Sequence, residues 1–225
     1  MSRYAISDIH GCVNTFKSAL QQINFSKEDE LYLLGDYIDR GPDSKAVIDY
    51  IWDLQNRGHH VFCLKGNHEE MMLEGLTKFQ TQSAWKKHGG RETLASFEAT
   101  EIGTVPYQYM EWMHKLPHFI EVDNYILVHA GLNFKVNDPL DDKQGMLWSR
   151  HWYHEIRKDW LRGRIIVHGH TPINQNEVKA SLSILDEILA LNIDNGCVYD
   201  RPGQGQLCVF NMDTRELLFV PRDEG

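Results

Sequence analysis

Five short polar clusters punctuate this 225-residue chain, and each directly follows a stretch with the character of a β-strand. They are Asp8-Ile9-His10-Gly11, Gly35-Asp36-Tyr37-Ile38-Asp39-Arg40-Gly41, Gly66-Asn67-His68-Glu69, His129-Ala130-Gly131 and Gly169-His170-Thr171. Polar residues at the carboxyl ends of successive strands are what an open α/β sheet presents to a ligand. The pattern therefore predicts an α/β fold with its chemistry gathered along one edge.

The intervening sequence supports that reading. Tyr4 to Asp8 reads as a strand that runs into the first cluster, and Val13 to Ile23 has helical spacing, with Val13, Phe16, Leu20 and Ile23 on one face. Leu31 to Leu34 is a continuous apolar run, the mark of a strand covered on both sides. Pro42-Asp43-Ser44 opens a helix that Gly58 stops. Val61 to Leu64 is the next buried strand, which completes β-α-β-α-β. Residues 69–116 read as mainly helical, and Ser83 to Gly90 within them reads either as a solvated loop or as a lid over the site. From Phe119 onward strands are expected to dominate: Tyr125 to His129, Arg164 to His168, and three more near Ile188–Ile193, Leu207–Asn211 and Leu217–Val220. Two mixed sheets with helices outside fit this order, in a single domain over residues 1–225.

The clusters supply Asp8, His10, Asp36, Asn67, His129 and His170, all oxygen or imidazole donors and none a thiolate. Asp8 and His10 alternate about Ile9, so a strand would point both side chains the same way. Asp36 stands where a carboxylate can bridge two ions. Two such ions about 3.5–4 Å apart lower the pKa of a shared water and hold phosphate oxygens in line with it. Mixed N/O donors suit manganese, iron or zinc better than copper(I) or calcium. His68 follows Asn67 directly and is free to act as a general acid, with Asp39 as the carboxylate that orients it. Arg40 and Arg150 are the candidate phosphate clamps. His59, His60, His88, His114, His118, His151 and His154 read as ordinary surface or core residues.

The formal net charge of -9 argues against a nucleic-acid partner, which needs a basic footprint. It does not oppose a phosphorylated substrate, because bound divalent ions invert the local field. No apolar run is long enough to span a membrane, and no leader-like segment opens the sequence. Cys12, Cys63, Cys197 and Cys208 lack a metal-binding spacing and read as buried, reduced thiols. Together these features predict a cytoplasmic location.

Read in order, the clusters resemble the motifs of the phosphoprotein phosphatase family of calcineurin-like metallophosphoesterases, over residues 6 to 171. Asn192 to Gly196 looks like the family's late Asp-x-Gly strand, and Leu147-Trp148-Ser149-Arg150 looks most like the compact bacterial and bacteriophage serine/threonine phosphatases. Trp85, Gly89-Gly90 and Thr93-Leu94 are similar to a segment of the bacterial members. The resemblance implies an αββα sandwich, a first metal on Asp8, His10 and Asp36, and a second on Asp36, Asn67, His129 and His170. It also implies His68 as acid, Asp39 as its partner, and Arg40 and Arg150 as clamps. Pro172 stands where the wider superfamily often has a further histidine, and His168 is a poorer ligand candidate than His170.

The activity expected on these grounds is removal of phosphate from serine or threonine, and also tyrosine, of a phosphoprotein. The rival is hydrolysis of diadenosine tetraphosphate or another small phosphorylated molecule, since Arg40 to Ser44 is also similar to the symmetrical hydrolases. Asp39 and the Glu69 that closes the third cluster favour the protein phosphatases. A binding protein that has lost its chemistry is disfavoured, because no ligand and no acid is missing.

Overall fold

The apolar run Leu31 to Leu34 shows how the layers are built. Leu31 and Leu33 join a cluster with Phe16, Val47, Ile48 and Ile51. Tyr32 and Leu34 turn the other way, onto Tyr125, Leu127, Val167 and Leu191. That is the period of two of a strand buried on both faces. The structure, a computed structural model, describes residues 1–224.

Its strands are β1 (Arg3–Ile6), β2 (Glu30–Leu33), β3 (His60–Cys63), β4 (Phe119–Val122), β5 (Tyr125–Val128), β6 (Ile165–His168), β7 (Ala190–Asn192), β8 (Gln206–Asn211) and β9 (Leu217–Pro221). The first sheet has the order β3-β2-β1-β8-β9 and the second β4-β5-β6-β7. Each is mixed. β1, β2 and β3 run parallel and β8 and β9 antiparallel. β5, β6 and β7 run parallel and β4 antiparallel. The sheets face each other across the Tyr32–Leu127 layer. The outer face of the first is covered by α1 (Val13–Gln22), α2 (Ser44–Asn56), α3 (Asn67–Gly75), α4 (Phe79–Trp85), α5 (Arg91–Ser96) and α6 (Tyr107–Lys115). The second sheet's outer face packs Ile126, Val128 and Ile166 against Leu132, Phe134, Met146 and Leu161, the last two from α7 (Lys143–Trp148) and α8 (Lys158–Leu161). The αββα expectation is met.

Local signals explain the boundaries. Asp43 caps α2 by accepting from the Ala46 N–H at 2.8 Å. Gly58, at φ 86°, takes the left-handed turn that follows the helix. Three readings need correction. The stretch after Phe119 is not mainly strand, because α7, α8, α9 (Gln175–Ser183) and α10 (Leu185–Ile188) interleave with β5 to β7. For α9 alone a cue stands in the sequence: Asn174 and Glu177 form a reciprocal capping box at its start, at 3.0 and 2.9 Å. The strand expected from Ile188 starts only at Ala190, since α10 runs through Ile188 and Leu189 turns left-handed at φ 56°. β1 ends at Ile6, so Asp8 and His10 are not strand residues. Both instead have positive φ, at 51° and 45°.

Among the described residues, no helix is long and apolar enough to cross a membrane. All four cysteines are buried and unbridged, as expected.

Candidate two-metal site

Six parallel strands, three from each sheet, release their chains along one edge of the sandwich. Asp8 and His10 follow β1, Asp36 follows β2, and Asn67 follows β3. His129, His170 and Asp194 follow β5, β6 and β7. Asp8, His10, Asp36, Asn67, His129, His170 and Asp194 are all buried. Backbone strain concentrates here: Asp8, His10, Asp36, Asp39, Arg40 and His170 all have positive φ, a costly conformation outside glycine.

Asp36 is the centre of the arrangement. Its Oδ2 lies 3.5 Å from His10 Nε2, and its Oδ1 lies 3.5 Å from His129 Nε2. One carboxylate thus faces two groups of donors, one with His10, Asp36 and His68 and the other with Asp36, His129 and His170. Within each group the ligand atoms lie within 4.8 Å of one another. His129 Nε2 and His170 Nδ1 converge on the Asn67 Oδ1, at 2.9 and 2.8 Å. The far nitrogens of His10 and His129 are engaged by the Ile38 and Leu34 carbonyls, at 2.7 and 2.9 Å. Those carbonyls take the Nδ1 proton of each ring and leave Nε2 as a donor lone pair. Asp8 Oδ2 accepts from the His170 N–H at 3.0 Å and stands close enough to Asp36 to repel it.

The electrostatics fit a bound cation pair. Burial, then repulsion by Asp8, pushes the Asp36 carboxyl well up. Asp194 is driven up by the same two causes. Burial depresses His10 and His129, and His170 falls to about 2. Neutral imidazoles beside crowded carboxylates form an expensive core for a protein alone. They form a good donor set for divalent ions.

His68 belongs to the first donor group through Nε2, while its other nitrogen is held outside it. Its Nδ1 meets Asp39 Oδ2 at 2.6 Å, and its Nε2 stands 3.9 Å from Asp36 Oδ2. Burial pushes the Asp39 carboxyl up, and the Thr93 hydroxyl draws it back down. The Arg40 guanidinium reaches His10 Nε2 and lies 5.6 Å from the centroid of the Tyr199 ring. Arg150 is exposed and donates to Thr171 Oγ1 at 3.0 Å. The structure therefore gathers all ten expected site residues. It leaves His168 aside, held between the Tyr153 hydroxyl at 2.6 Å and the Gly169 carbonyl at 3.0 Å.

Three contributions were not anticipated. Tyr199 faces Arg40, and Thr93 faces Asp39. Glu69, fully buried at the start of α3, holds the loop that carries Asp36. Its carboxylate accepts from the N–H groups of Asp36 at 3.0 Å, Gly66 at 2.9 Å and Tyr37 at 2.9 Å. Both oxygens can only accept, so an amide would turn a donor onto a buried donor. Glu69→Gln is expected to cost about 2–5 kcal/mol, from unsatisfied buried N–H groups. The measurement is the urea midpoint at constant m. A wild-type midpoint would show that the loop stands without this brace.

Comparison with known proteins agrees with the geometry. A bis(5'-nucleosyl)-tetraphosphatase, symmetrical, from Wigglesworthia glossinidia brevipalpis is 37% identical over 138 residues, covering 59% of this chain and 45% of the relative. The protein of that name from Buchnera aphidicola is 29% identical over 176 residues, covering 71% of this chain and 60% of the relative. The chain thus spans about half the length of the relatives it matches. Among solved structures, one proposed to be a diadenosine tetraphosphatase superposes with a TM-score of 0.70 at 21% identity, covering 99% of this chain and 94% of that one. A Saccharomyces cerevisiae protein serine/threonine phosphatase gives 0.70 at 15% identity, covering 100% and 81%. At such identities both likenesses concern the fold alone. The sequence model of the calcineurin-like phosphoesterases matches residues 1–196, and the chain belongs to that family.

Proposed function

We propose that this chain is a two-metal phosphohydrolase that splits a bis(5'-nucleosyl) tetraphosphate symmetrically. The observation that carries the hydrolytic reading is the Asp36 carboxylate, with an imidazole 3.5 Å from each oxygen. Asp8, His10 and Asp36 would hold one ion, and Asp36, Asn67, His129 and His170 the other, with manganese favoured by the donor set. When bound, such ions supply Lewis acidity and an acidified water. Arg40 and Arg150 would receive the phosphate oxygens. His68, oriented by Asp39, would hold a proton at Nε2 for the departing oxygen. Water would add at one of the two central phosphorus atoms, the bridging P–O bond would break, and two nucleoside diphosphates would leave.

The tetraphosphate reading rests on the named relatives and on a cleft beside the centre. That cleft, of about 470 Å³, is lined by Arg150, Trp152, Tyr153, Thr171, Ile173 and Ile184, among others. It falls within the size range of small-molecule sites and begins at a phosphate clamp, so a nucleoside fits there. The phosphoprotein reading keeps Asp39 and Glu69 as motif resemblances, but the named relatives favour the tetraphosphate.

The test is turnover by metal-reconstituted protein on diadenosine tetraphosphate and on phosphoserine peptides at matched concentrations. ADP is expected as the sole nucleotide product, with kcat/KM at least about tenfold above any peptide. Faster peptide turnover would overturn the substrate class, and AMP with ATP would overturn symmetric scission. Ala180 lines the cleft from an exposed position on α9. Ala180→Trp should fill it, raising KM for the dinucleotide but not for p-nitrophenyl phosphate. Equal KM values for the dinucleotide in variant and wild type would place the nucleoside elsewhere.

A further inference from the structure

The helical segment between β3 and β4 supplies Asn67 and His68 at its start, yet its middle also reaches the centre. After α4 the chain breaks at Gly89, where φ is 112°. Gly89 O accepts from the Arg40 N–H at 3.2 Å, and a Cβ on Gly89 would lie 2.4 Å from that nitrogen. A Cβ on Gly90 would lie 2.4 Å from the buried Trp85 ring. The two glycines thus let the break close against the Asp39-Arg40 loop, and α5 follows with Thr93 fully buried.

The Thr93 hydroxyl has a fully determined role in hydrogen bonding. Its proton goes to Asp39 Oδ1 at 2.6 Å. Its oxygen accepts from the Asp39 N–H at 2.8 Å and lies 3.0 Å from Ser44 Oγ. With its own proton committed, it accepts from Ser44 as well. Asp39 then has one oxygen on Thr93 and the other on His68, with the second bond 2.6 Å long. Rotation of the carboxylate would break both bonds at once.

We infer that Thr93 is a positioning residue for the acid: it locks the Asp39 carboxylate in the plane that holds His68 Nε2 toward the departing oxygen. The segment around residues 85–93 is, on this reading, a fixed wall of the site. The inference rests on His68 being the acid, so the experiment carries a His68→Asn arm.

The kcat of metal-reconstituted Thr93→Val is measured on phenyl phosphate and on p-nitrophenyl phosphate, with the content of both ions. Phenolate leaves poorly without a proton, whereas p-nitrophenolate does not need one. Thr93→Val should lose about tenfold on phenyl phosphate, the lower end of what outer hydrogen-bond partners carry at metal sites. It should lose little on p-nitrophenyl phosphate and keep both ions. Thr93→Ser, which restores the hydroxyl, should recover most of the loss. Ser44→Ala removes a hydroxyl that accepts from the Asp39 N–H at 3.0 Å but leaves the bond to Asp39 Oδ1, and should lose less. If valine does not fold at this buried position, Thr93→Ala serves in its place. Equal losses on both substrates, or no rescue by serine, would reduce Thr93 to a packing role and overturn the inference. If His68→Asn itself shows no leaving-group dependence, the acid reading fails and the inference with it. If His68→Asn shows that dependence and the Thr93 variants do not, the inference alone fails.

Discussion

Asp36→Asn is expected to lose metal and activity together, by about 10³-fold or more in kcat/KM, the size of several kcal/mol of transition-state stabilisation. Among the described residues, Asp36 alone belongs to both donor groups, so one substitution should weaken both ions. Stability should move the opposite way once metal is stripped. Burial and Asp8 hold the Asp36 carboxyl well above its usual range. A raised carboxyl pKa means that stability is lost as pH rises from the unfolded value through the folded one. At neutral pH the metal-free wild type carries that cost, and the asparagine variant does not. Metal-free Asp36→Asn should therefore unfold at higher urea than metal-free wild type, while metal-loaded wild type outlasts both. Metal analysis, kinetics and urea titration of the two proteins decide this. Full occupancy with near-normal turnover in the variant would remove Asp36 from the bridging position.

His68→Asn has the second large effect, and it depends on the leaving group. A general acid contributes typically about 10²–10⁴-fold, and most where the departing oxygen is strongly basic. Alkyl phosphates should therefore suffer a loss in that range. p-Nitrophenyl phosphate should suffer little, and diadenosine tetraphosphate less than the alkyl esters, because a departing phosphate is already a weak base. Asp39→Asn should show a milder form of the same pattern, since it orients the ring rather than giving the proton. Both ions should remain. His68 Nε2 also falls within one of the donor groups, so the opposite result has a structural meaning. Equal loss on every substrate, with loss of metal, would make His68 a ligand.

The contrast between Glu69 and Asp36 shows what could be read early. Both are carboxylates in strand-end clusters, and both are buried. Asp36 was legible as a ligand because Gly-Asp-x-x-Asp-Arg-Gly follows an apolar run that must end at the sheet edge. Glu69 was legible only as a motif letter, and its hold on the Asp36 loop was not legible at all. Whether it met substrate or backbone depended on where the neighbouring loop passed. Thr93 lies in a segment similar to the bacterial members, but its partner Asp39 lies 54 positions away. No local periodicity reports a contact of that separation. The short helices after Phe119 were missed for a different reason: four to nine residues hold too few apolar repeats to establish a period of 3.6.

The sequence by itself determined the fold class, the family and which residues gather at the candidate site. Those properties are written in contiguous words, because a strand end places the next few residues at the edge wherever the strand goes. Tertiary structure alone decided that Asp36 stands between two imidazole groups and that Glu69 braces its loop. It alone decided that Thr93 holds Asp39, and that a cleft opens beside Arg150. Each of these depends on two chain segments meeting at hydrogen-bond or van der Waals distance. That meeting is set by how the two sheets pack, a quantity no single segment encodes.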